Sequence, residues 1–119
     1  MSELENCLFC KIVKGLIPSQ KVYEDEKILA FKDISAQAPI HYLFIPKKHY
    51  QSLADVPLSE MSIMTELFTA MRKVADQEGV SVGGFRNVIN TRKQGGQTVD
   101  HLHVHLLGGR LMGGDMTGA

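Results

Sequence analysis

Three histidines alternate with aliphatic residues near the end of the chain, in the segment His101-Leu102-His103-Val104-His105-Leu106-Leu107. Because successive side chains of a β-strand point to opposite faces, this pattern predicts a strand with imidazoles on one face and aliphatic side chains buried on the other. Neighbouring histidines would lie about 6.5 Å apart along that face. Such clustering indicates a site, either a metal ion held by imidazoles or a histidine nucleophile and acid/base acting on phosphorus.

The remaining segments predict an α+β fold around the histidine strand, which we place at 99–107. A helix from Ser59 to Gly79 has apolar residues at helical spacing, and a shorter helix covers 7–14. Four further strands are expected at 21–24, 28–32, 41–45 and 85–90. Since strands and helices do not alternate regularly, we expect an antiparallel sheet with helices packed on one side.

Length and charge narrow the class of protein. The 119 residues suffice for one domain, 1–119, with a flexible N-terminus at about 1–5 and a flexible tail at about 112–119. Thirteen Lys and Arg balance thirteen Asp and Glu, so we expect neither nucleic acid nor a membrane surface as a partner. The acidic start lacks a signal-peptide pattern, which predicts a cytoplasmic protein.

Two cysteines, Cys7 and Cys10, have the spacing that lets both thiolates bind one zinc ion. His49 or His101 would complete a tetrahedral site. The alternative is that both are small buried helix residues. A redox dithiol is less favoured, because the motif does not follow a strand of a βαβ unit.

Several other residues have both a functional and a local structural interpretation. The loop Gly95-Gly96-Gln97-Thr98 either binds phosphate through N–H groups and a hydroxyl or forms a turn. Asp33 either accepts hydrogen bonds from a ribose or caps the loop that follows it. Asn90 is a turn residue or a ligand-binding amide. Arg110 is more simply an exposed arginine than a phosphate ligand.

From about Phe9 to Met112 the chain resembles the histidine triad (HIT) superfamily, and within it the Hint-type purine nucleoside phosphoramidases. The signature is the segment His101 to Leu107. Supporting motifs are Phe31-Lys32-Asp33-Ile34-Ser35, Gln37-Ala38-Pro39, Ile45-Pro46-Lys47-Lys48-His49, Gly95-Gly96-Gln97 and Gly108-Gly109-Arg110. The resemblance implies a five-stranded antiparallel sheet with one long and one short helix, and a homodimer joined through the long helix and the fourth strand.

The resemblance also implies a reaction. His103 would attack the α-phosphorus and form a nucleotidyl-histidine, while the carbonyl of His101 holds its other N–H. His105 would bind phosphate oxygens, Thr98 would help protonate the departing amine, and His41 would extend the polar network. Water would then release AMP or GMP, with no cofactor required for catalysis. The implied nucleotide-binding residues are Phe9, Ile12, Phe31, Asp33, Ile34, Asn90, Gly96, Gln97, Thr98, His103 and His105. Four of them, Phe9, Ile12, Phe31 and Ile34, would form an apolar slot for the purine, which agrees with the prediction from the sequence that they are buried.

Some family members suggest Cys7, Cys10, His49 and His101 as ligands of a structural zinc ion. Two features depart from the family pattern: Asp100 replaces a usual aromatic residue, and the tail lacks tryptophan. Three other functions stay open: a nucleotide-binding interaction protein with little turnover, a dinucleoside polyphosphate hydrolase, and a zinc hydrolase that uses the triad as ligands.

Overall fold

The secondary structure comprises five strands and three α-helices within residues 6–114, the part of the chain that this computed structural model describes. The predicted flexible N-terminus at 1–5 and the end of the predicted flexible tail, 115–119, lie outside the described residues. The strands are β1 (Lys21–Glu24), β2 (Ile28–Lys32), β3 (Ile40–Pro46), β4 (Phe85–Val88) and β5 (Val104–Gly108). The helices are α1 (Leu8–Val13), α2 (Ser62–Gln77) and α3 (Val80–Gly83).

The five strands form one antiparallel sheet in the order β1-β2-β3-β5-β4. This confirms the predicted α+β class. The turn between β1 and β2 is closed by Asp25, whose Oδ1 accepts hydrogen bonds of 2.8 Å from the backbone N–H groups of Lys27 and Ile28. Strand β5 lies between β3 and β4, so the histidine segment occupies the interior of the sheet.

The two faces of the sheet bury separate hydrophobic clusters. Ile28, Ala30 and Phe44 pack with α2, whereas Leu29, Phe31 and Leu43 pack with α1. The expectation that helices cover only one side is therefore wrong. Phe9, Cys10 and Ile12 give α1 its own apolar face, and they bury the side of β2 and β3 that α2 leaves open. Strands covered on both faces are mostly hydrophobic, as β2 and β3 are apart from Lys32 and His41.

The histidine strand is shorter than predicted. Its ladder begins at Val104, because the N–H of His101 donates to the carbonyl of Val99 (2.9 Å) and the N–H of Leu102 donates to the carbonyl of Tyr50 (2.8 Å). The side chains nevertheless alternate as expected. Leu102, Val104 and Leu106 are buried in the cluster beneath α2.

The long helix also begins later than predicted. Leu58–Glu60 forms a 3₁₀ turn, and α2 starts at Ser62 without a side-chain cap, so Ser59 is not its N-cap. Glu60 instead accepts hydrogen bonds from Lys48 (2.7 Å) and from the hydroxyl of Tyr50 (2.6 Å). Across residues 6–114 no helix combines the length and the apolar character needed to cross a membrane.

Two adjacent glycines permit close packing at the end of β5. A Cβ on Gly108 would lie 2.8 Å from Cγ1 of Val80, and a Cβ on Gly109 would lie 3.0 Å from Cβ of Pro39. Gly109 also has a φ of +89°, in the region that favours glycine. The chain therefore leaves β5 directly against the segment that precedes β3.

Candidate active site and metal centre

His103 is held in one tautomer by the main chain. Its Nδ1 lies 2.8 Å from the carbonyl oxygen of His101. Since a carbonyl only accepts, Nδ1 carries the proton and the lone pair is on Nε2. Burial lowers the pKa of His103, although the hydrogen bond to His101 and the charge of Asp33 oppose that shift. His103 is therefore neutral near pH 7, with a nucleophilic nitrogen.

Aromatic rings fix the plane of this imidazole. Phe9 packs against His103 edge to face, with ring centroids 5.3 Å apart and planes at 83°. Phe9 also packs against Phe31 at 5.4 Å and 77°. The ring of His105 also packs against the ring of His103, with centroids 5.1 Å apart and planes at 62°. The sequence prediction that these histidines share one face is confirmed.

A second chain of hydrogen bonds fixes the tautomers of His41 and His105. The backbone N–H of Gln37 donates to Nδ1 of His41 (2.9 Å), which places the proton of His41 on Nε2. That Nε2 lies 2.9 Å from Nδ1 of His105, so His105 accepts there and carries its own proton on Nε2. Burial, followed by the charges of His103 and His41, lowers the pKa of His105 to about 4. His105 is thus a neutral hydrogen-bond donor.

Asp33 caps the loop that follows it, which was one of its two predicted roles, and the ribose role stays a prediction. Its Oδ1 accepts from the N–H of Ser35 (2.8 Å) and so caps the following loop, while its Oδ2 lies 3.3 Å from Nε2 of His41. The expectation that Ile34 is buried is wrong, because its side chain is fully exposed. It follows the end of β2 in the loop that Asp33 caps, whereas Phe9, Ile12 and Phe31 are buried as predicted.

The glycine-rich loop is largely occupied with its own hydrogen bonds. The N–H groups of Gly96 and Gln97 donate to the carbonyls of Lys93 (3.0 Å) and Arg92 (3.1 Å). The amide of Gln97 donates to the Gln51 carbonyl at 2.6 Å, and Asn90 donates to the Gly95 carbonyl at 2.7 Å. The loop therefore forms a turn, and the N–H groups of Gly96 and Gln97 donate within it.

Thr98 lies at the end of this loop and is exposed. Within residues 6–114 its hydroxyl makes no side-chain hydrogen bond. It lines a cleft of about 470 Å³ together with Asn6, Cys7, Leu8, Gln51, Val99 and Asp100. The cleft thus connects the loop to the start of α1, and the departure from the family pattern at Asp100 lies in its wall.

Cys7, Cys10, His49 and His101 converge on one point, as predicted. Nδ1 of His101 lies 3.3 Å from Sγ of Cys7 and 3.6 Å from Sγ of Cys10, and Nδ1 of His49 lies 3.4 Å from Sγ of Cys10. The two Nδ1 atoms are 3.2 Å apart. Tetrahedral zinc with ordinary bond lengths needs roughly 3.6 Å between nitrogen and sulfur and roughly 3.4 Å between nitrogens. The four residues therefore fit a zinc ion.

His101 has the orientation that a metal ligand requires. Its Nε2 donates to the carbonyl of Pro46 (2.8 Å), so the lone pair of Nδ1 faces the two thiols. Burial lowers the pKa of His101 to about 4, which keeps the ring neutral. Nδ1 of His103 faces a carbonyl instead. The free nitrogens of the three triad histidines therefore do not converge on one metal ion, which disfavours the triad as the ligand set of a zinc hydrolase.

Three groups of this site were not predicted from the sequence. The N–H of Gln37 and the carbonyl of Pro46 belong to the main chain, which carries no residue-type signal. Arg110 is exposed as expected, but its Nε and Nη2 also donate to the carbonyl of Gln37 at 3.0 and 2.8 Å. Its place in the motif Gly108-Gly109-Arg110 was the available signal.

The family model of the HIT domain matches residues 14–112. The chain belongs to the HIT family. A purine nucleoside phosphoramidase of Escherichia coli is 43% identical over 92% of both chains. Among solved structures, a HIT family hydrolase from Legionella pneumophila is 49% identical, with a TM-score of 0.88 over 91% of this chain and 96% of that one. A histidine triad protein from Clostridium difficile is 46% identical, with a TM-score of 0.91 over 95% and 97%. This HIT protein is a hydrolase.

Proposed function

We propose that this HIT hydrolase cleaves purine nucleoside phosphoramidates, including aminoacyl-adenylate-type substrates, through a nucleotidyl-histidine. The observation that carries the proposal is the tautomer of His103, whose Nδ1–H is bound to the His101 carbonyl and whose Nε2 has a free lone pair. The name of the Escherichia coli relative supports the same substrate class. Its similarity extends over nearly the whole chain.

In the first step, Nε2 of His103 attacks the α-phosphorus and the bond from phosphorus to the amine nitrogen breaks. The amine leaves with that electron pair and takes up a proton, which the exposed hydroxyl of Thr98 would relay from solvent. With an aminoacyl-adenylate the phosphorus–oxygen bond breaks instead, and the carboxylate leaves as an anion without needing that proton. His105, neutral and protonated on Nε2, donates to a phosphate oxygen as negative charge develops there. A water molecule then attacks phosphorus, which releases AMP or GMP and restores neutral His103.

The nucleoside would be held by apolar and acidic side chains. Phe9, Ile12 and Phe31 provide an apolar wall next to His103, and exposed Ile34 would cover the base from outside. Asp33 has an oxygen at the edge of the site for a ribose hydroxyl. Asn90, Gly96 and Gln97 would support the phosphate indirectly, because the hydrogen bonds they already make shape the loop.

Cys7, Cys10, His49 and His101 would hold a structural zinc ion. When bound, zinc would neutralise the thiolates that burial otherwise disfavours, since burial and the neighbouring Cys7 raise the pKa of Cys10 to about 11. In the chain itself, the carbonyl of Pro46 holds the ring of His101, and the carbonyl of His101 orients His103. No catalytic step needs the ion.

We further propose that the protein acts as a cytoplasmic homodimer. On α2, Met64, Phe68 and Arg72 line a hollow of about 520 Å³, and β4 is an edge strand of the sheet. A second copy placed on this surface would cover apolar side chains and an open strand edge together. The balanced charge still predicts that neither nucleic acid nor a membrane is a partner.

The test is steady-state hydrolysis of an adenosine phosphoramidate by the wild type and by His103→Ala, each with and without a strong chelator. We expect chelator-resistant turnover that falls by several orders of magnitude in the variant, because no other described group replaces the nucleophile. Urea unfolding and circular dichroism of both proteins control for folding. Retained turnover in folded His103→Ala would refute the proposal.

The same assay separates the alternatives. Tight AMP binding without turnover would identify a nucleotide-binding interaction protein, and chelator-sensitive turnover by a folded protein would identify a metal-dependent hydrolase. Faster cleavage of a dinucleoside polyphosphate than of any phosphoramidate would reassign the substrate.

A further inference from the structure

We infer that Arg110 is a positioning residue: through the main chain of Gln37, whose carbonyl and N–H belong to adjacent peptide groups, and through the ring of His41, it fixes which nitrogen of His105 carries the proton. The inference rests on the proposed function for its catalytic meaning. Its structural part concerns only hydrogen bonds within the protein, so it has a test of its own.

The first step is the contact of Arg110 with Gln37. Nε and Nη2 of Arg110 donate to one carbonyl oxygen, that of Gln37, at 3.0 and 2.8 Å. Nη1 donates to the carbonyl of Leu111 at 3.0 Å. A planar guanidinium with two N–H groups on one oxygen fixes the direction of that carbonyl more strictly than a single donor would.

The second step is the opposite side of the same residue. The N–H of Gln37 donates to Nδ1 of His41 at 2.9 Å. Residues 34–37 of the loop 33–39 are exposed, so burial does not hold the side chain of Gln37, whereas the next residue, Ala38, is buried. Asp33 and Arg110 therefore anchor the loop at its two ends, and Arg110 acts next to the hydrogen bond that defines the tautomer of His41.

The third step carries this orientation into the site. His41 is buried and donates from Nε2 to Nδ1 of His105 at 2.9 Å. His105 then has a single N–H, on Nε2, available for a ligand. Two groups favour the Nε2–H form of His41: the N–H of Gln37, which donates to Nδ1, and Oδ2 of Asp33, which lies 3.3 Å from Nε2. If the N–H of Gln37 moved away, Nδ1 would be free to take up a proton, and His105 would lose its donor in that fraction of the molecules.

The backbone around Arg110 is built for this contact. Gly109 has a φ of +89° and passes so close to Pro39 that a Cβ would lie 3.0 Å from Cβ of that proline. This approach brings the residue after Gly109 over the segment 37–39. Besides ending β5, the glycine pair before Arg110 therefore allows the chain to pass close to Pro39.

The experiment compares Arg110→Met, Arg110→Lys and the wild type, using the purified full chain. Arg86→Met is the matched control, because Arg86 also donates from Nη2 to a backbone carbonyl, that of Gly113 (2.6 Å), without reaching the histidines. Long-range ¹H–¹⁵N spectra of the imidazoles report each tautomer directly. They need no substrate.

We expect both His41 and His105 to be Nε2–H tautomers in the wild type and in Arg86→Met. Arg110→Met should populate the Nδ1–H form of His41, and Arg110→Lys should fall between, because lysine keeps one charged donor but not the planar fork. With a phosphoramidate substrate, kcat should fall about 10- to 100-fold in Arg110→Met, the range seen when a hydrogen-bond partner that orients a metal-bound histidine is removed. KM should change less.

Unchanged tautomers in folded Arg110→Met would overturn the inference. If the methionine variant does not fold, unchanged tautomers and an unchanged kcat in Arg110→Lys would overturn it instead. If the wild type shows no turnover while Arg110→Met shows the expected tautomer shift, the proposed function is refuted and the positioning role stands.

Discussion

Replacing His105 with glutamine should make the protein less sensitive to mild acid. Burial and the charges of His103 and His41 lower the pKa of His105 from 6.5 to about 4 in the folded state. In the unfolded chain the group regains its ordinary value, so the unfolded state binds more protons as pH falls through 6.5. The folded state is therefore destabilised as pH falls, until His105 itself becomes protonated near pH 4.

The magnitude follows from the shift. Each pKa unit corresponds to about 1.4 kcal/mol, so the full effect is at most about 3 kcal/mol at low pH and about 2 kcal/mol at about pH 5, with solvent screening reducing both. Glutamine has a similar size, can accept from His41 and does not titrate in this range. Carboxylates with lowered pKa values, such as Asp55 and Glu60, stabilise the fold at both pH values and lose this effect only as pH falls through the ordinary pKa of acids. They are also shared by both proteins.

Urea unfolding of the wild type and His105→Gln at about pH 7 and at about pH 5 measures the difference. We expect the wild type to lose about 2 kcal/mol more than the variant between these two conditions. Any bound metal and the histidines that do not contact His105 contribute equally to both, so the comparison reports on His105 together with its coupling to His41 and His103. The same loss of stability in both proteins would show that His105 is not held neutral by its surroundings.

The remaining predictions concern packing and the metal centre. Gly108→Ala should destabilise the fold by about 1–3 kcal/mol in thermal or urea unfolding, because its Cβ would lie 2.8 Å from Val80. The double variant with Val80→Ala should lose less than the sum of the two single changes, and simple additivity would contradict the clash. Cys10→Ser should reduce zinc content, measured by elemental analysis after purification with zinc, from one ion per chain towards none. An unchanged zinc content would place the ion elsewhere.

The fold and the triad could be predicted because both depend on side-chain periodicity. Alternation of histidine with aliphatic residues fixed the faces of β5, and it continues in Leu102 even where the strand hydrogen bonds are absent. The spacing of Cys7 and Cys10 likewise predicted a metal-binding pair. Both patterns report which face a side chain occupies, and burial enforces that choice.

The details that escaped prediction depend on the main chain and on exposure. The start of β5 was set by hydrogen bonds of His101 and Leu102 to residues outside the sheet. The exposure of Ile34 was hidden because an apolar residue beside a buried strand resembles a core residue in sequence. The tautomers of His41 and His103 depend on a peptide N–H and a carbonyl that any residue type supplies.

The sheet separates two hydrophobic clusters of unequal size. The larger one beneath α2 contains most of the buried aliphatic side chains, while the smaller one beneath α1 contains Phe9 and both cysteines. Global stability is therefore concentrated on the side of the sheet that carries no histidine. We therefore expect local opening of α1 to cost less free energy than global unfolding, because it would disrupt only the smaller cluster.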